Sequence, residues 1–452
     1  MAEISDHICI IGGGPAGLAA GMYLEQKGYR NYEILEKSDH VGGKCNSPTY
    51  NGRRYEMGAI MGVPSYYSVA DIERFCGVTH DGPKLNRNYK NLKGEVIDPF
   101  DPKASPEQAE LIQKTMSQVQ EFGTILATKY AGYDVNGHRG VAEGRYDGFA
   151  VTPGRERVHG YNPNLKDLAL PFKKFCEING VPLVQNVWIG PFTSFGYGYF
   201  DEIPAAYVLK YLDFQTCMNF VKVNLWTWKE GTQYIFEQLN DHLMHPARLN
   251  SDITKVERTG GKVMVTVNGQ VEEYDKIIIT SPLQYMPDYF DATDEERELF
   301  SKIDYKRYDV LAVETDPEHH PEISYYIMEN MVPQRLGHLM VYYNRWRDDV
   351  NQPITTYAIR NHKDMQEIPY NDCKEMVLED LKAMGNQASN VINEESWYYF
   401  PHVDSETYAS GWYDKVEAMQ GQLGTYYAGE VMCFGDIDET CEYSREIVER
   451  FF

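Results

Sequence analysis

The sequence predicts an α/β fold, and three observations lead to this class. An apolar run, Ile8–Ile11, breaks into a glycine-rich turn at 12–17 and then into a helix-forming segment. A second apolar run, Tyr32–Leu35, ends in an acidic residue. Buried-strand patterns return far along the chain, at 276–280 and 426–430. This order is typical of a Rossmann-type dinucleotide-binding domain whose parallel sheet is assembled from discontinuous segments.

The glycine-rich turn has the spacing G-x-G-x-x-G between a strand and a helix, which predicts a site for a dinucleotide phosphate. Gly12 permits the tight turn, Gly14 lets the backbone approach a pyrophosphate, and Gly17 lets the helix pack closely on the strand. The N–H groups at the helix N-terminus face the anion. Glu36 stands at the spacing expected for an acid that binds a ribose 2′-hydroxyl. A chance glycine-rich turn is the alternative, and the ordered occurrence of all these elements disfavours it.

The remaining segments predict two further domains. Helical periodicity dominates from about residue 107 to 245, with Ser105 as the N-cap of a helix over 107–130. Residues 131–164 lack periodicity and are expected to form a long surface loop or lid. Strand-like runs at 308–314, 338–343 and 355–359 predict a mixed sheet. The predicted bounds are 1–80, 231–290 and 415–452 for the dinucleotide-binding domain, 81–230 for a mainly helical cap, and 291–414 for a mixed-sheet substrate domain.

Composition limits the classes of function. The 452 residues carry a net charge of −24, so the average field repels a polyanion, and nucleic acid is not expected as a partner. The eight cysteines are scattered, without Cys-x-x-Cys or zinc spacing, which predicts no metal site and reduced thiols in a cytoplasmic protein. Residues 1–7 are too short and polar for a signal peptide, and no apolar run approaches the roughly 18 residues of a transmembrane segment.

Longer stretches of the sequence resemble a known family. The turn at 12–17, the acid at 36, a second glycine turn at 42–44 and Ala428-Gly429-Glu430 before a closing helix resemble the flavin amine oxidoreductases over the full length of the chain. The resemblance is closer to the bacterial polyunsaturated fatty acid isomerases that make conjugated linoleic acid. That likeness rests on the strings at 20–26, 53–64, 204–214, 225–228 and 397–402. It implies a Rossmann-type domain of the amine oxidase and glutathione reductase type, non-covalently held FAD, and a double-bond shift in a free fatty acid.

The resemblance also implies which residues bind FAD. The turn that binds the pyrophosphate consists of Gly12, Gly14, Pro15, Ala16 and Gly17. The adenosine ribose is bound by Glu36, with Lys37 beside it, and the second turn contains Gly43 and Lys44. The backbone of Gly58, Ala59 and Ile60 lies beside the isoalloxazine ring, and Ile253 contacts adenine. Glu430 is the acid near the ribityl phosphate, and Asp438 and Thr440 stand at the start of a helix aimed at the flavin.

The implied mechanism needs no catalytic side chain. Flavin N5 would take a hydride from the carbon between two double bonds and return it to another carbon. No second G-x-G-x-x-G follows Gly17, so no nicotinamide cofactor domain is expected. Arg87 is the candidate for binding the substrate carboxylate, and Phe220 is the candidate for a gate. A solvated loop arginine and a core aromatic residue on a helix are the respective alternatives.

Two departures from the relatives and one aromatic stretch bear on the substrate. Asn86 replaces one of two adjacent basic residues, which leaves Arg87 alone, and residues 139–162 have the character of an insertion. The aromatic residues of 192–200 are candidates for lining an apolar tunnel, with ordinary core packing as the alternative. The leading function is isomerisation of a free polyunsaturated fatty acid. The alternatives are an FAD-dependent amine oxidase or desaturase of an apolar substrate, and a flavin protein that carries lipid without turnover.

Overall fold

The computed structural model describes residues 2–130, 165–316 and 324–452, so the predicted loop at 131–164, with the insertion at 139–162, lies outside the described residues. The strands are β1 Ile8–Ile11, β2 Tyr32–Leu35, β3 Thr49–Tyr50, β4 Arg53–Arg54, β5 Arg87–Lys90, β6 Val96–Ile97, β7 Ile253–Thr259, β8 Lys262–Val267, β9 Gln270–Tyr274, β10 Lys276–Ile279, β11 Asp304–Thr315, β12 Ser324–Tyr326, β13 Val341–Tyr343, β14 Ile354–Ile359, β15 Ala388–His402 and β16 Thr425–Tyr427. The α-helices are α1 Pro15–Gln26, α2 Tyr67–Cys76, α3 Pro106–Thr128, α4 Leu165–Leu168, α5 Phe172–Ile178, α6 Gln185–Thr193, α7 Ala205–Tyr211, α8 Phe214–Val221, α9 Thr232–His242, α10 Asp294–Phe300, α11 Tyr370–Ala383, α12 Ser405–Ala409, α13 Trp412–Ala418 and α14 Ile437–Phe451.

A four-stranded parallel sheet in the order β16-β10-β1-β2 forms the first domain. Its strands come from three separate parts of the chain, as the sequence predicted. The residues of β1 are buried along the whole strand, as expected for a parallel sheet that is covered on both faces. Helix α1 contacts β1, β2, α9 and α14 on one side, and β10 contacts the antiparallel sheet β7-β8-β9. The predicted α/β fold with a discontinuous Rossmann-type domain is confirmed.

The second sheet has seven strands in the order β15-β11-β14-β13-β12-β5-β6. Its neighbours are antiparallel except for β12 and β5, which run parallel, so the sheet is mixed. Two of its strands, β5 and β6, come from the region that the sequence predicted as helical cap. Sequence periodicity missed them because they contain only four and two residues and alternate poorly.

Helices α3 to α8 form the cap. The hydroxyl of Ser105 accepts a hydrogen bond from the Gln108 backbone at 3.1 Å, which confirms the predicted N-cap of α3. The buried face of this helix includes Phe122, whose ring centroid lies 5.3 Å from that of Trp188. The apolar periodicity of this helix would also place Met116 on this face, but Met116 is 47% exposed.

Buried ion pairs connect the domains. The Nζ of Lys306 on β11 lies 2.6 Å from the carboxylate of Glu202 in the cap, and both side chains are almost inaccessible to solvent. Arg345, which follows β13, lies 3.2 Å from Glu56 of the first domain. All eight cysteines are free and buried. Within the described ranges, no helix combines the length and apolarity needed to cross a membrane.

Candidate active site

A cavity of about 790 Å³ lies at the carboxyl edge of the parallel sheet. Its walls include the turn after β1, the end of β2, the segments 43–46 and 58–61, the ends of β10 and β16, and the start of α14. In open α/β sheets this edge is where ligands bind, because the strand ends and the following turns converge there. The position of the cavity therefore follows from the fold.

Most of the residues predicted to bind FAD line this cavity. They are Gly12, Gly14, Pro15, Ala16, Glu36, Lys37, Gly43, Lys44, Gly58, Ala59, Ile60, Ile253, Glu430 and Thr440. Gly17 and Asp438 are not among its lining residues. Their positions show what the fold brings together, and the individual roles toward FAD stay predictions.

The glycines of the first turn have different structural tasks. Gly12 adopts a φ of +112°, which favours glycine. A Cβ on Gly17 would lie 1.9 Å from the Gly12 carbonyl oxygen, so Gly17 allows α1 to pack on the turn. A Cβ on Gly14 would meet only Gly43, with 3.7 Å between it and the Gly43 Cα. Two backbone segments without side chains thus form an open cradle, and this fits a dinucleotide diphosphate.

Glu36 is held firmly at the end of β2. One carboxylate oxygen accepts a hydrogen bond from the Gly13 N–H at 2.6 Å, and the other accepts from the Ser38 N–H at 2.8 Å. These bonds fix the acid beside the glycine-rich turn while it lines the cavity. The arrangement is compatible with a further hydrogen bond from a ribose hydroxyl, because each carboxylate oxygen has more than one acceptor position.

Lys44 and Glu430 form an ion pair across the cavity wall. The Lys44 Nζ lies 2.5 Å from a Glu430 carboxylate oxygen, and about a quarter of each side chain is exposed. The same ammonium group lies 5.4 Å from the centroid of the Tyr399 ring. The pair places one positive and one negative charge where the second glycine turn meets the end of β16.

The closing helix α14 begins at the cavity, one residue before the predicted start. Its N-cap is Asp436, whose carboxylate accepts hydrogen bonds from the N–H groups of Asp438 and Glu439 at 2.8 Å each. Asp438 points elsewhere: its carboxylate accepts from the Val69 N–H at 2.8 Å. Burial, followed by the nearby carboxylates of Glu442 and Asp436, raises the pKa of Asp438 well above its usual value. Asp438 therefore ties α14 to α2.

Aromatic side chains form the other wall of the cavity. They are Tyr66, Phe195, Tyr197, Tyr211, Tyr289, Tyr305, Tyr308, Tyr357, Trp397, Tyr398 and Tyr399, with Tyr285 at the rim. The Tyr399 hydroxyl donates to the Tyr197 hydroxyl at 3.1 Å. Burial raises the pKa of both phenols, so they stay neutral at physiological pH. These aromatic residues offer hydroxyl groups and ring faces, while Glu395 on the same strand also lines the cavity, and burial raises the pKa of its carboxyl group.

Strand β15, which contributes part of this wall, contains a β-bulge. The pairing of β15 with β11 shifts register between Asp304 and Lys306, and Phe400 adopts a φ of +49° there. Non-glycine residues rarely adopt this conformation. Tyr399 and Pro401 both line the cavity, while Phe400 between them does not.

A small, mainly apolar cavity next to the large one is lined by Arg87. This second cavity, of about 20 Å³, shares five lining residues with the first: Ile60, Met61, Phe195, Tyr308 and Tyr357. Asn86 and Arg87 also line it. The Arg87 guanidinium lies 5.0 Å from the centroid of the Tyr326 ring. Among the ion pairs of the described residues, none includes Arg87.

Phe220 packs against Phe195, which lines both cavities. Phe220 itself is fully buried on α8 and lines neither cavity. Its ring centroid lies 5.8 Å from that of Phe195 and 5.7 Å from that of Tyr211. In the aromatic stretch 192–200, Phe195 and Tyr197 line the cavity, while Phe192, Tyr199 and Phe200 do not.

Comparison with known proteins places the chain in a family. Residues 15–430 match the flavin containing amine oxidoreductases. The chain belongs to that family. Membership implies a flavin cofactor, and the cradle between Gly14 and Gly43 fits one. The structure of a fatty acid isomerase from P. acnes, described as CLA-producing, is 49% identical to this flavin amine oxidoreductase, with a TM-score of 0.91 and full coverage of both chains.

More distant proteins are similar to parts of this flavin amine oxidoreductase. The polyenoic fatty acid isomerase of Ptilota filicina is 22% identical over 272 residues, which is 57% of this chain and 51% of that protein. A 4,4'-diapophytoene desaturase of Staphylococcus aureus is 23% identical over 62% of this chain and 57% of its own length. The chain thus spans little more than half the length of these curated relatives. A putrescine oxidase, 13% identical with a TM-score of 0.70 over 98% of this chain and 97% of its own, shares the fold. These similarities confirm the resemblance found in the sequence.

Several residues of the site were missed by reasoning from the sequence. Asp436, Tyr308, Tyr357 and Gln284 line the cavity without having been named as candidates. An acidic residue two positions before a helical pattern is a known N-cap signal, so Asp436 was recoverable. The tyrosines were not, since a tyrosine in a strand is compatible with core packing as well as with a cavity wall.

Proposed function

We propose that this protein is an FAD-dependent isomerase that shifts a double bond of a free polyunsaturated fatty acid, converting linoleic acid to conjugated linoleic acid. The observation that carries the proposal is a large cavity with an aromatic wall beside a small cavity lined by Arg87, because the two suit a long acyl chain and a carboxylate. The full-length similarity to the fatty acid isomerase from P. acnes supports the same substrate class.

We propose further that FAD is held non-covalently at the carboxyl edge of the parallel sheet. The glycine-rich turn would bind its diphosphate, Glu36 its adenosine ribose, and the backbone of 58–60 would lie beside its ring system. When bound, FAD would supply a hydride acceptor and donor, so that the doubly allylic hydrogen can leave one carbon and return to another. The side chains then have the task of placing the acyl chain, with the reacting carbons about 3 to 3.5 Å from the acceptor.

The neutral aromatic wall suits this division of tasks. Phenols whose pKa is raised by burial, such as Tyr197 and Tyr399, do not accept a proton from an allylic carbon at neutral pH. They can pack against the acyl chain and exclude water, which protects reactive species from side reactions. Isomerisation by hydrogen return needs no more than this from the protein.

Arg87 would set the register of the acyl chain, while the apolar lining of the two cavities would supply affinity. Burying about sixteen methylene groups at ~0.8 kcal/mol each gives roughly 13 kcal/mol before entropy costs. A charge-assisted hydrogen bond contributes about 1.5 to 3 kcal/mol. The stacking of Arg87 on Tyr326 would hold the guanidinium in place at the small cavity, which both residues line.

The decisive experiment is anaerobic incubation of the purified protein with linoleic acid, followed by ultraviolet absorbance of a conjugated diene. The proposal expects diene to accumulate over many turnovers without hydrogen peroxide. Arg87→Ala should raise KM for the free acid but leave turnover of the methyl ester and flavin content unchanged. Lys93→Ala is the matched control, because it removes an exposed positive charge from the same hairpin. An unchanged preference for free acid over ester in Arg87→Ala would remove Arg87 from the site.

A second candidate is an FAD-dependent desaturase or oxidase of an apolar substrate. The similarity to the 4,4'-diapophytoene desaturase favours it, since the aligned region covers 62% of this chain. Such an enzyme would lose electrons to oxygen or another acceptor at each turnover. It would therefore consume acceptor in proportion to product, and the anaerobic reaction above would stop after one turnover.

We also infer a cytoplasmic location and no nucleic-acid or nicotinamide partner. Eight free, buried thiols suit a reducing compartment. The net charge of −24 opposes binding to nucleic acid. Fractionation of the source cells, with detection of the protein in the soluble fraction, tests the location.

A further inference from the structure

Arg87 and Glu395 lie on the same face of the seven-stranded sheet, on distant strands. The residues that pair directly across the sheet, from the edge strand β15 to β5, are Glu395, Val310, Tyr357, Val341, Tyr326 and Tyr89. Residues paired across neighbouring strands point to the same face, and so do residues two apart on one strand. Arg87 stands two residues before Tyr89 on β5, so it shares this face with Glu395.

This face of the sheet contributes to the walls of both cavities. Tyr308 and Tyr357 line the large cavity as well as the small one. Glu395 lines the large cavity, and Arg87 lines the small one. Strands β15 and β5 are separated by five strand spacings, which correspond to roughly 24 Å at about 4.8 Å each. This span is comparable with the length of an extended linoleic acid.

Glu395 has no counter-charge that would explain its position. Of the charged side chains that line the two cavities in the described part of the chain, only Arg87 and Glu395 belong to this sheet. Glu395 is partly exposed, and the ion pairs between described residues do not include it. The neighbouring Glu394, in contrast, has a carboxylate oxygen 2.7 Å from the Lys374 Nζ. A carboxylate without a cation in a mainly apolar site is costly, which points to a role toward the ligand.

We propose that Glu395 is a specificity-determining residue that excludes a carboxylate from the β15 side of the substrate site. A ligand carboxylate beside Glu395 would either repel it or force one of the two acids to take up a proton, and both cost free energy. The site should therefore prefer a monocarboxylic acid with an uncharged tail over the α,ω-dicarboxylic acid of the same length. This inference rests on the proposed fatty acid substrate and narrows its class.

The same exclusion would fix the direction in which a fatty acid binds. Arg87 would attract the carboxylate to the β5 side, and Glu395 would disfavour the reversed direction. Reversal of linoleic acid would exchange the two carbons that can receive the returning hydrogen. The two directions therefore lead to different positional isomers of the conjugated product, and Glu395 should restrict the enzyme to one of them.

The test measures the binding of two saturated probes, octadecanoic acid and octadecanedioic acid, to the FAD-loaded full chain. Affinities are obtained by displacement of a fluorescent fatty acid. Neither probe has a double bond, so the result does not depend on isomerisation. Glu395→Gln removes the charge and keeps the shape, and Glu395→Lys reverses the charge. Glu394→Gln is the matched control, because it removes the same charge from the opposite face of the same strand.

The variants should change the preference between the two probes. Wild type should bind the monoacid more than about tenfold more tightly than the diacid. Glu395→Gln should reduce this preference about tenfold, and Glu395→Lys should prefer the diacid. Glu394→Gln should keep the wild-type preference within about twofold. With linoleic acid, Glu395→Gln should also raise the share of the minor conjugated positional isomer, at an unchanged flavin content.

Three results would overturn the role of Glu395. An unchanged preference in both Glu395 variants would show that no ligand carboxylate comes near this residue. An equal loss of preference in Glu394→Gln would assign the effect to the net charge of the protein. A lower FAD affinity with an unchanged preference would assign Glu395 to the cofactor. If the probe preference shifted as expected but linoleic acid were not isomerised, the proposed reaction would be refuted while the role of Glu395 in ligand selection would be supported.

Discussion

Replacing Gly17 with alanine should disrupt the protein because the third glycine of the turn has no room for a side chain. Its Cβ would lie 1.9 Å from the carbonyl oxygen of Gly12, whereas a carbon–oxygen contact needs about 3.3 Å. Helix α1 would have to move away from the turn by about 1.4 Å, within a fully buried core. Overpacking of this kind costs about 3 kcal/mol or more, which is a large part of the free energy of unfolding of a typical domain.

Gly14→Ala is the matched comparison, since it adds the same methyl group three residues earlier. Gly14 has a φ of −80°, which alanine adopts readily, and its Cβ would be 3.7 Å from the Gly43 Cα. The expected cost in stability is about 1 kcal/mol or less, from the weaker N-cap preference of alanine. FAD affinity should nevertheless fall, because the methyl group opens onto the cradle.

Both variants are tested by urea denaturation of the deflavinated protein and by FAD titration. Gly17→Ala should lose stability, and Gly14→Ala should lose FAD affinity while staying folded. Wild-type stability in Gly17→Ala would refute the packing argument. Wild-type FAD affinity in Gly14→Ala would refute the assignment of the cradle.

Two further predictions concern charge. His402 donates from Nδ1 to the Phe400 carbonyl, and burial, followed by the Lys306 ammonium, lowers its pKa below 6.5. Below about pH 6.5 the unfolded chain therefore binds a proton at this histidine that the folded chain does not bind, so the free energy of unfolding falls by up to about 1.4 kcal/mol per pH unit. His402→Gln should flatten this fall between about pH 6.5 and about pH 5. An equal pH dependence of wild type and variant in urea denaturation would contradict this prediction. Lys44→Met should weaken FAD binding, because it leaves the Glu430 carboxylate unpaired near the phosphates. Adding Glu430→Gln should restore part of the affinity. Purely additive losses of affinity in FAD titrations would argue against an interaction between the two side chains.

The parts of the fold that could be predicted from the sequence are those set by local rules. The turn at 12–17 combines backbone requirements that only glycine meets, and the strand β1 before it is apolar throughout. The position of Glu36 beside the turn could be predicted because one helix and one strand fix its distance along the chain from the turn. Each of these depends on neighbours in sequence.

The parts that were missed depend on contacts between distant segments. Strand β5 pairs with β12, more than 230 residues away, and has no strong alternation of its own. The register shift beside Phe400 belongs to the pairing of β15 with β11, a distant segment of the chain. Phe220 packs against Phe195 and lines neither cavity, which the packing of α8 decides, and its role as a gate stays a prediction. Sequence patterns carry no information on which of several aromatic residues reaches a cavity.

The most direct test of the central claim follows the hydrogen itself. Linoleic acid with deuterium on the carbon between its double bonds is converted by the purified holoenzyme in ordinary water, and unlabelled linoleic acid is converted in heavy water. If the substrate's own hydrogen leaves and returns, the conjugated product keeps the label at a new carbon and takes up little deuterium from the solvent. A base that abstracts a proton would exchange it with water instead. Product that carries solvent deuterium in full and has lost the substrate label from the first turnover would contradict the account.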